Sequence, residues 1–390
     1  MRATVDTNRH SMTSAHTLAS KLGVGWLLVG AILSISCDPA PDPTSGIQTG
    51  TAPSTPVVED SPCVDTFPVD LPEDFKPEFG VDRPAKEAAL PRLLSRTGLY
   101  TDIRAKETHP LMWEFTPQFE LWSDGADKTR WAYIPECSNI DTQDMDDWQF
   151  PVGTRFFKEF SVDGRRIETR LIERIGKGPR DFAFVSYLWD EDESEARIVD
   201  AAGLPNARGS GHDIPSKSGC LRCHGTYCLG GGRPSRALGF SALQLSHEGA
   251  GLTLSELVDT QRLSHPPVDE ITVPGDALTQ AALGVLHANC GHCHNDTSDR
   301  VPQVDLSLWL ETSATTVEET GAWQTAVDQP TAIFKDQHVT ARIAPGQPEQ
   351  SAVLYRMLQR HNNAQMPPLA SHSIDEVCTS KVAEWIGSLP

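Results

Sequence analysis

One pentapeptide near the C-terminal end has the residue types and spacing for covalent attachment of a cofactor. Residues 290–294 read Cys-Gly-His-Cys-His. Two thiols three positions apart on a helical turn can each form a thioether with one vinyl group of a porphyrin. The histidine that follows then lies below the iron and can coordinate it, and this spacing is the signature of c-type haem attachment. We therefore predict haem c bound at Cys290 and Cys293, with His294 as an iron ligand.

A methionine downstream supplies a candidate for the opposite face of that iron. Met366 lies 72 residues after His294 and is followed by two prolines, Pro367 and Pro368. Prolines fix φ and remove backbone donors, so they stiffen the loop that presents the sulfur. Histidine and methionine together raise the reduction potential of a haem and fill both axial positions, which favours electron transfer over catalysis.

A second motif of the same form occurs 70 residues earlier, at Cys220, Cys223 and His224. We predict a second haem c here. Its sixth ligand stays open, because the iron could be five-coordinate and reactive or could take a distant side chain. The candidates are His212, His247, His265, Met112 and Met145. The alternative is a structural cluster in which Cys228 joins the two cysteines in a disulfide or a metal site.

Residues 275–390 resemble a class I cytochrome c domain. The resemblance depends on the segment leading into residues 290–294, the segment 343–351, the Met366 loop and the helix that carries Trp385. It implies an all-α domain with one haem and an electron-transfer role.

The N-terminus has the pattern of an export signal. Arg2, Arg9 and Lys21 precede an apolar stretch over 22–35, which is short for a transmembrane helix. The stretch ends at Cys37 after a small residue, as in a bacterial lipoprotein signal. We predict a signal peptide over 1–37, lipidation of Cys37, and a location in the bacterial cell envelope, in the periplasm and anchored to a membrane.

Composition and periodicity divide the rest of the chain. Residues 38–65, rich in Pro, Ser, Thr and Asp, indicate a disordered linker. Residues 66–202 carry alternating apolar patterns and an Asp163-Gly164 pair, which predict hairpins in an antiparallel β-sandwich-like domain or partial barrel. Residues 203–270 are irregular around the first motif, and 271–390 indicate the cytochrome c domain. The predicted fold class is therefore α+β and multidomain.

Helix signals are concentrated in the second half of the chain. Capping boxes are predicted at Thr253-x-x-Glu256 and Ser373-x-x-Glu376, and Asp276 is a candidate N-cap. The last helix should bury one apolar face, formed by Ile374, Val377, Val382, Trp385, Ile386 and Leu389.

The β region also carries a resemblance. It rests on Glu-Leu-Trp-Ser-Asp-Gly-Ala-Asp-Lys-Thr-Arg-Trp at 120–131, on 167–171, on 187–189, and on short segments flanking the first motif. These look like a little-characterised family of exported bacterial proteins that join a β domain to a haem motif, which implies an architecture but no reaction. Asp124, Asp127 and the acidic loop 190–193 could bind calcium, although a solvated acidic turn explains them equally simply.

Charge and cysteine count limit the possible partners. The formal net charge of −20 argues against binding nucleic acid and favours a redox protein with a basic surface. The cysteines not assigned to a motif or the anchor could form up to two disulfides in an oxidising compartment. These cysteines are Cys63, Cys137, Cys228 and Cys378.

The sequence therefore predicts an exported electron carrier with one or two haem c groups. Two rivals stay open. One is a di-haem enzyme resembling bacterial cytochrome c peroxidases. The other is a ligand-binding β domain fused to a redox module that serves a separate dehydrogenase, which exposed side chains among Trp113, Trp122, Trp131 and Trp148 would favour.

Overall fold

The structure, a computed structural model, describes residues 90–178, 181–224, 237–296, 304–369 and 371–390. These residues all belong to one compact unit. The predicted signal peptide over 1–37, Cys37, the predicted linker over 38–65, Cys63 and Cys228 lie outside the described residues.

Antiparallel strands form the first half of the described chain and short helices form most of the second. The strands are β1 (Tyr100–Asp102), β2 (Glu107–Thr108), β3 (Trp113–Glu114), β4 (Asp127–Tyr133), β5 (Arg155–Val162), β6 (Arg165–Arg174), β7 (Phe182–Trp189) and β8 (Ala196–Ile198). The α-helices are α1 (Lys217–His224), α2 (Ala242–Leu245), α3 (Leu254–Asp259), α4 (Ala277–Leu286), α5 (Gly321–Ala326), α6 (Ala352–Met357) and α7 (Glu376–Ser388). The prediction of an α+β fold with an antiparallel sheet region is confirmed.

The main sheet has six strands in the order β3-β4-β5-β6-β7-β8, each paired antiparallel with the next in sequence. The predicted hairpin at Asp163-Gly164 joins β5 to β6, and both turn residues have positive φ, 51° and 74°. A two-residue turn of this kind matches the twist of the flanking strands. The acidic loop 190–193 likewise joins β7 to β8.

Both faces of this sheet are buried. One face packs its aromatic side chains, such as Trp131, Phe157 and Trp189, against Leu94 and Leu99 from the preceding segment. The sequence predicts a sandwich or partial barrel, but the other described sheet contains just β1 and β2. Periodicity along a strand shows that a face is buried and does not show what covers it.

The opposite face of the sheet shares a hydrophobic core with the helices. Phe156 and Phe184 of the sheet belong to the same cluster as Leu283 of α4 and Trp385 of α7. Phe240 lies between them, with its ring 5.0 Å from that of Phe156 and 4.9 Å from that of Phe115. The β region and the helical region are thus packed together by one core.

Local signals place most helix ends correctly. Thr253 and Glu256 form the predicted capping box of α3, and Asp276 caps α4 by accepting from Thr279 N. At α7 the prediction is wrong, because Asp375 is the N-cap and accepts from Cys378 N at 2.9 Å.

Helix α7 buries Val382, Trp385 and Ile386 as predicted, but Val377 is 65% exposed. The helix begins at Glu376, and Val377 therefore shares a face with the exposed side chains of Lys381 and Glu384, four and seven residues on. Among the residues that the structure describes, we find no helix with the length and apolar character that a membrane crossing requires.

A buried charge cluster lies within the sheet. Glu168 of β6 is fully buried, and Arg170 donates two hydrogen bonds to its carboxylate at 2.8 and 2.9 Å. His212 Nε2 lies 2.7 Å from the same carboxylate. Burial by itself raises the pKa of Glu168, but the charge and hydrogen bonds of Arg170 and His212 outweigh burial and lower the pKa to about 2.

We predict that Glu168→Gln destabilises the protein at pH 7 by about 3 kcal/mol, because an ionised carboxylate paired with Arg170 is lost. A carboxyl whose pKa is lower in the folded than in the unfolded state stabilises the fold above its unfolded value, and that contribution disappears as pH falls from about 4.5 to about 2. Urea unfolding at several pH values should show the two proteins converging on acidification. The exposed Glu191→Gln is the control, and a difference that persisted at pH 2 would contradict the assignment.

Candidate functional site

The second motif continues directly from the end of α4. After Leu286 the chain widens into a π-helical turn over His287–Gly291, and the amides of Cys293 and His294 then donate to Cys290 O at 3.0 and 2.9 Å. This turn keeps the two thiols and the imidazole on consecutive helical positions. The backbone therefore has the geometry in which two thioethers and an axial histidine can serve one porphyrin.

One cavity of about 470 Å³ brings the predicted ligands together. Cys290, Cys293 and His294 line it, and so does Met366. Apolar side chains form much of the remaining wall, and three cations also contribute to the lining. The apolar group includes Leu306, Leu308, Phe334, Val353 and Met357, and the cations are Lys335, Arg342 and Arg356. This donor set fits a haem iron, with an imidazole nitrogen and a thioether sulfur available to one porphyrin.

Hydrogen bonds within its own loop hold Met366 in place. Its amide donates to Arg356 O at 3.0 Å, and Arg356 Nε donates to Ala364 O at 2.9 Å. The Gln365 side-chain amide donates to Pro367 O at 3.0 Å and to Ser371 O at 2.8 Å. The sulfur is therefore presented by a loop whose backbone is fixed on both sides of the methionine.

Trp122 connects the segment that carries the cysteines to the segment that follows the methionine. Its backbone amide donates to Asn289 Oδ1 at 2.8 Å, and Asn289 is the residue before Cys290. Its indole nitrogen donates to Ser373 O at 3.1 Å. Sequence analysis did not identify Asn289, although a polar side chain at the end of an apolar helix is a signal that could have drawn attention to it.

Asp124, two residues further on, holds the same loop by its carboxylate. His372 N donates to it at 2.8 Å, and Ser373 donates from its backbone amide at 2.8 Å and from its hydroxyl at 2.9 Å. The carboxylate thus has a structural role that accounts for it without calcium. Within the described parts of the chain, no three or more His, Cys, Asp or Glu side chains group closely enough to hold a metal ion.

The first motif lies on helix α1, which packs against β7. Cys220, Cys223 and His224 all line a cavity of about 430 Å³, and the His224 ring lies 5.1 Å from the Phe184 ring. Aromatic side chains from both sides enclose the cavity, including Phe115, Phe156 and Phe240. Burial raises the pKa of the Cys220 thiol, and the charge of Arg170 opposes this effect.

The proposed sixth ligands of the first haem do not line this cavity. His212 contacts Glu168, His247 Nε2 contacts Thr116 O at 2.6 Å, and His265 Nδ1 contacts Ser264 Oγ at 2.9 Å. Met112 belongs to the core on the opposite face of the sheet, and Met145 packs against the helical core outside the cavity lining. Three cations line the cavity instead, and sequence analysis did not single them out. They are Arg130, Lys158 and Arg170.

The two cavities share a wall that is one chain segment thick in two places. Ala288 lines the first cavity, whereas the adjacent Asn289 lines the second. In the same way Leu369 lines the first cavity, and Pro368 lines the second. Groups held in the two cavities would therefore be close neighbours.

The remaining cysteines do not form two disulfides. Cys137 is disulfide-bonded, whereas Cys378 is a free thiol on α7. Burial, with a smaller contribution from Asp375, raises the pKa of Cys378 to about 12. One free thiol among four cysteines leaves room for at most one disulfide among them.

No protein-family model, no curated protein and no solved structure matches this chain. The resemblances to class I cytochromes c and to the exported β family therefore stay predictions. What the chain does has to be inferred from the geometry of its two cavities.

We predict that Asp124→Ala loosens the loop over 371–373, because its amides lose a charged acceptor. Hydrogen bonds to charged groups contribute roughly 1.5–3 kcal/mol, so the free energy of unfolding should fall by about 2 kcal/mol. Hydrogen exchange followed by mass spectrometry should show faster exchange at His372 and Ser373. Asp127→Ala, an exposed carboxylate in the same segment, is the matched control. Equal exchange in the two variants would argue against this role of Asp124.

Proposed function

We propose that this chain is an exported c-type cytochrome that carries electrons through covalently bound haem. The observation that supports this most strongly is that Cys290, Cys293, His294 and Met366 line one cavity, although the methionine is 72 residues from the histidine. Chance placement of a free methionine opposite such a motif would not require a loop held in place by its own hydrogen bonds.

The roles of the residues at the second motif follow from their chemistry. Haem iron, when bound, supplies a centre that alternates between the ferric and ferrous states by gaining and losing one electron. Cys290 and Cys293 would tether the porphyrin by thioether bonds, while His294 and Met366 would occupy the two axial positions. The apolar lining would exclude water, and a methionine ligand would favour the reduced state.

The first cavity supports a second haem at Cys220 and Cys223, with His224 as the iron ligand. It has a volume close to that of the second cavity, about 430 against 470 Å³. Because the two cavities share a thin wall at Ala288–Asn289, an electron that entered at one haem would have a short path to the other. We propose that the pair acts as a relay between two redox proteins.

The proposed location follows from the N-terminal pattern. A signal peptide ending at Cys37, followed by lipidation of that cysteine, would place the protein in the periplasm on a membrane anchor. The net charge of −20 favours a redox partner with a basic docking surface.

The binding-module rival gains no support from the aromatic residues on which it depended. Trp131 and Trp148 are buried in the two cores of the protein. Trp122 donates its indole hydrogen to Ser373 O, and the guanidinium of Arg262 lies 5.2 Å from the centre of the Trp113 ring. The catalytic rival is tested by the measurements below.

We predict that the matured protein carries two haem c groups. Intact mass should exceed that of the polypeptide by two haem increments, and a pyridine haemochrome assay should give two haems per chain. Replacing Cys290 and Cys293 by Ala should remove one increment, and replacing Cys220 and Cys223 should remove the other, because each porphyrin needs its own thioethers. A colourless protein of unmodified mass would contradict the proposed function altogether.

We predict that Met366→Leu opens one axial position while leaving the haem attached. Its reduction potential should fall, because a sulfur ligand that favours the ferrous state is lost, and the ferrous protein should bind one additional carbon monoxide. Met357→Leu is the matched control, since this methionine lines the same cavity and belongs to α6. If both variants behaved alike, Met366 would not be the ligand. Carbon monoxide binding to the unmodified protein would favour a catalytic first haem.

A further inference from the structure

Three basic side chains form a row across the sheet face beneath the first motif. Arg130 of β4 is the register partner of Lys158 on β5, and Lys158 is the register partner of Arg170 on β6. Directly opposed residues in neighbouring strands have closely spaced side chains, and like charges so placed repel each other. All three line the first cavity, so the row needs compensating negative charge.

Arg170 has that compensation from the protein itself, because Glu168 accepts two hydrogen bonds from it. Arg130 is compensated less completely. Its Nη2 lies 3.2 Å from Glu120 Oε2, but Lys128 Nζ lies 2.9 Å from the same oxygen. Arg130 is 4% exposed, and its Nη1 is buried without a hydrogen-bond partner among the described residues.

Lys158 has no anionic neighbour in hydrogen-bonding range. Within the described chain, no hydrogen bond or ion pair reaches its ammonium group, and its nearest notable contact is the Phe160 ring, 4.9 Å away. Burial, followed by the charges of Arg130 and Arg170, lowers its pKa well below the usual range. Asp213, an acidic residue that also lines the cavity, is paired with His372 at 2.8 Å. A bound anion would relieve this repulsion.

The position of the row indicates which anion fits. The cysteines of the first motif lie on α1, which contacts β7, whereas Lys158 and Arg130 lie on β5 and β4. With strands about 4.8 Å apart, these cations are two and three strand spacings, or about 10–14 Å, across the sheet from β7. In haem c the two propionate carboxylates project from the side of the ring opposite the thioether carbons. The row therefore lies where the carboxylates of a porphyrin tethered on α1 would end.

We propose that Arg130 and Lys158 bind the two carboxylates of the porphyrin attached at Cys220 and Cys223, with Arg170 as a neighbouring cation already paired with Glu168. This inference rests on the proposed second haem. Lys128, Arg130 and Lys158 carry three positive charges against the one of Glu120, which leaves an excess that two carboxylates would neutralise.

The test compares Lys158→Met with the charge-conserving Lys158→Arg. In the Met variant both haem increments should remain in the intact mass, while the resonance Raman propionate-bending band of one haem shifts. The reduction potential of that haem should fall, because a nearby positive charge disfavours the ferric state. The Arg variant should restore both signals, and Arg165→Met, which removes an exposed charge from the same sheet, should change neither.

The outcomes separate the two proposals. A mass showing no haem at Cys220 and Cys223 would remove the second haem and this inference with it. Two haems with an unchanged Raman band in Lys158→Met would overturn the carboxylate contact alone. Calorimetric titration of the two-haem protein with succinate distinguishes a free dicarboxylate as the occupant. Saturable binding that is lost in Lys158→Met would show that the cations face an open substrate site and would overturn the assignment to the porphyrin.

Discussion

The hydrogen bonds that Trp122 makes are the constraint on which the second cavity depends. Two segments far apart in sequence must approach one cavity, one bringing the cysteines and the histidine and the other bringing the methionine. Trp122 donates to Asn289 beside the first segment and to Ser373 beyond the second. A residue before the sheet thereby connects the two halves of a proposed iron site, because loop ends left free would cost conformational entropy to close.

The sheet therefore has a role beyond packing. Its segment 120–124 fixes the loop after Met366, and its inner face forms one wall of the first cavity. A free-standing cytochrome c domain would need neither contact. In this chain the two regions share one core, and the proposed redox groups lie at and beside the boundary between them.

The sheet face also shows how buried charge is tolerated. Glu168 is enclosed but keeps its charge because Arg170 and His212 both stabilise it. Lys158, a short distance away, lacks such a partner among the described residues. The protein thus balances one cation internally and leaves others directed at a cavity, which is the pattern expected where an anionic group is to be held.

The sequence by itself determined the features that depend on neighbouring residues. The spacing within 290–294, the proline loop at Met366, the turn at Asp163-Gly164 and the caps Thr253 and Asp276 could all be recognised locally, because each is decided within a few residues of chain. The haem interpretation of the two motifs likewise came from spacing alone and stays a prediction. The tertiary structure decided what covers the sheet, that Met366 and His294 line one cavity, and that Arg130, Lys158 and Arg170 share another. These depend on strand register and on contacts between segments a hundred or more residues apart, and a local pattern carries no information about which distant partner a side chain will meet.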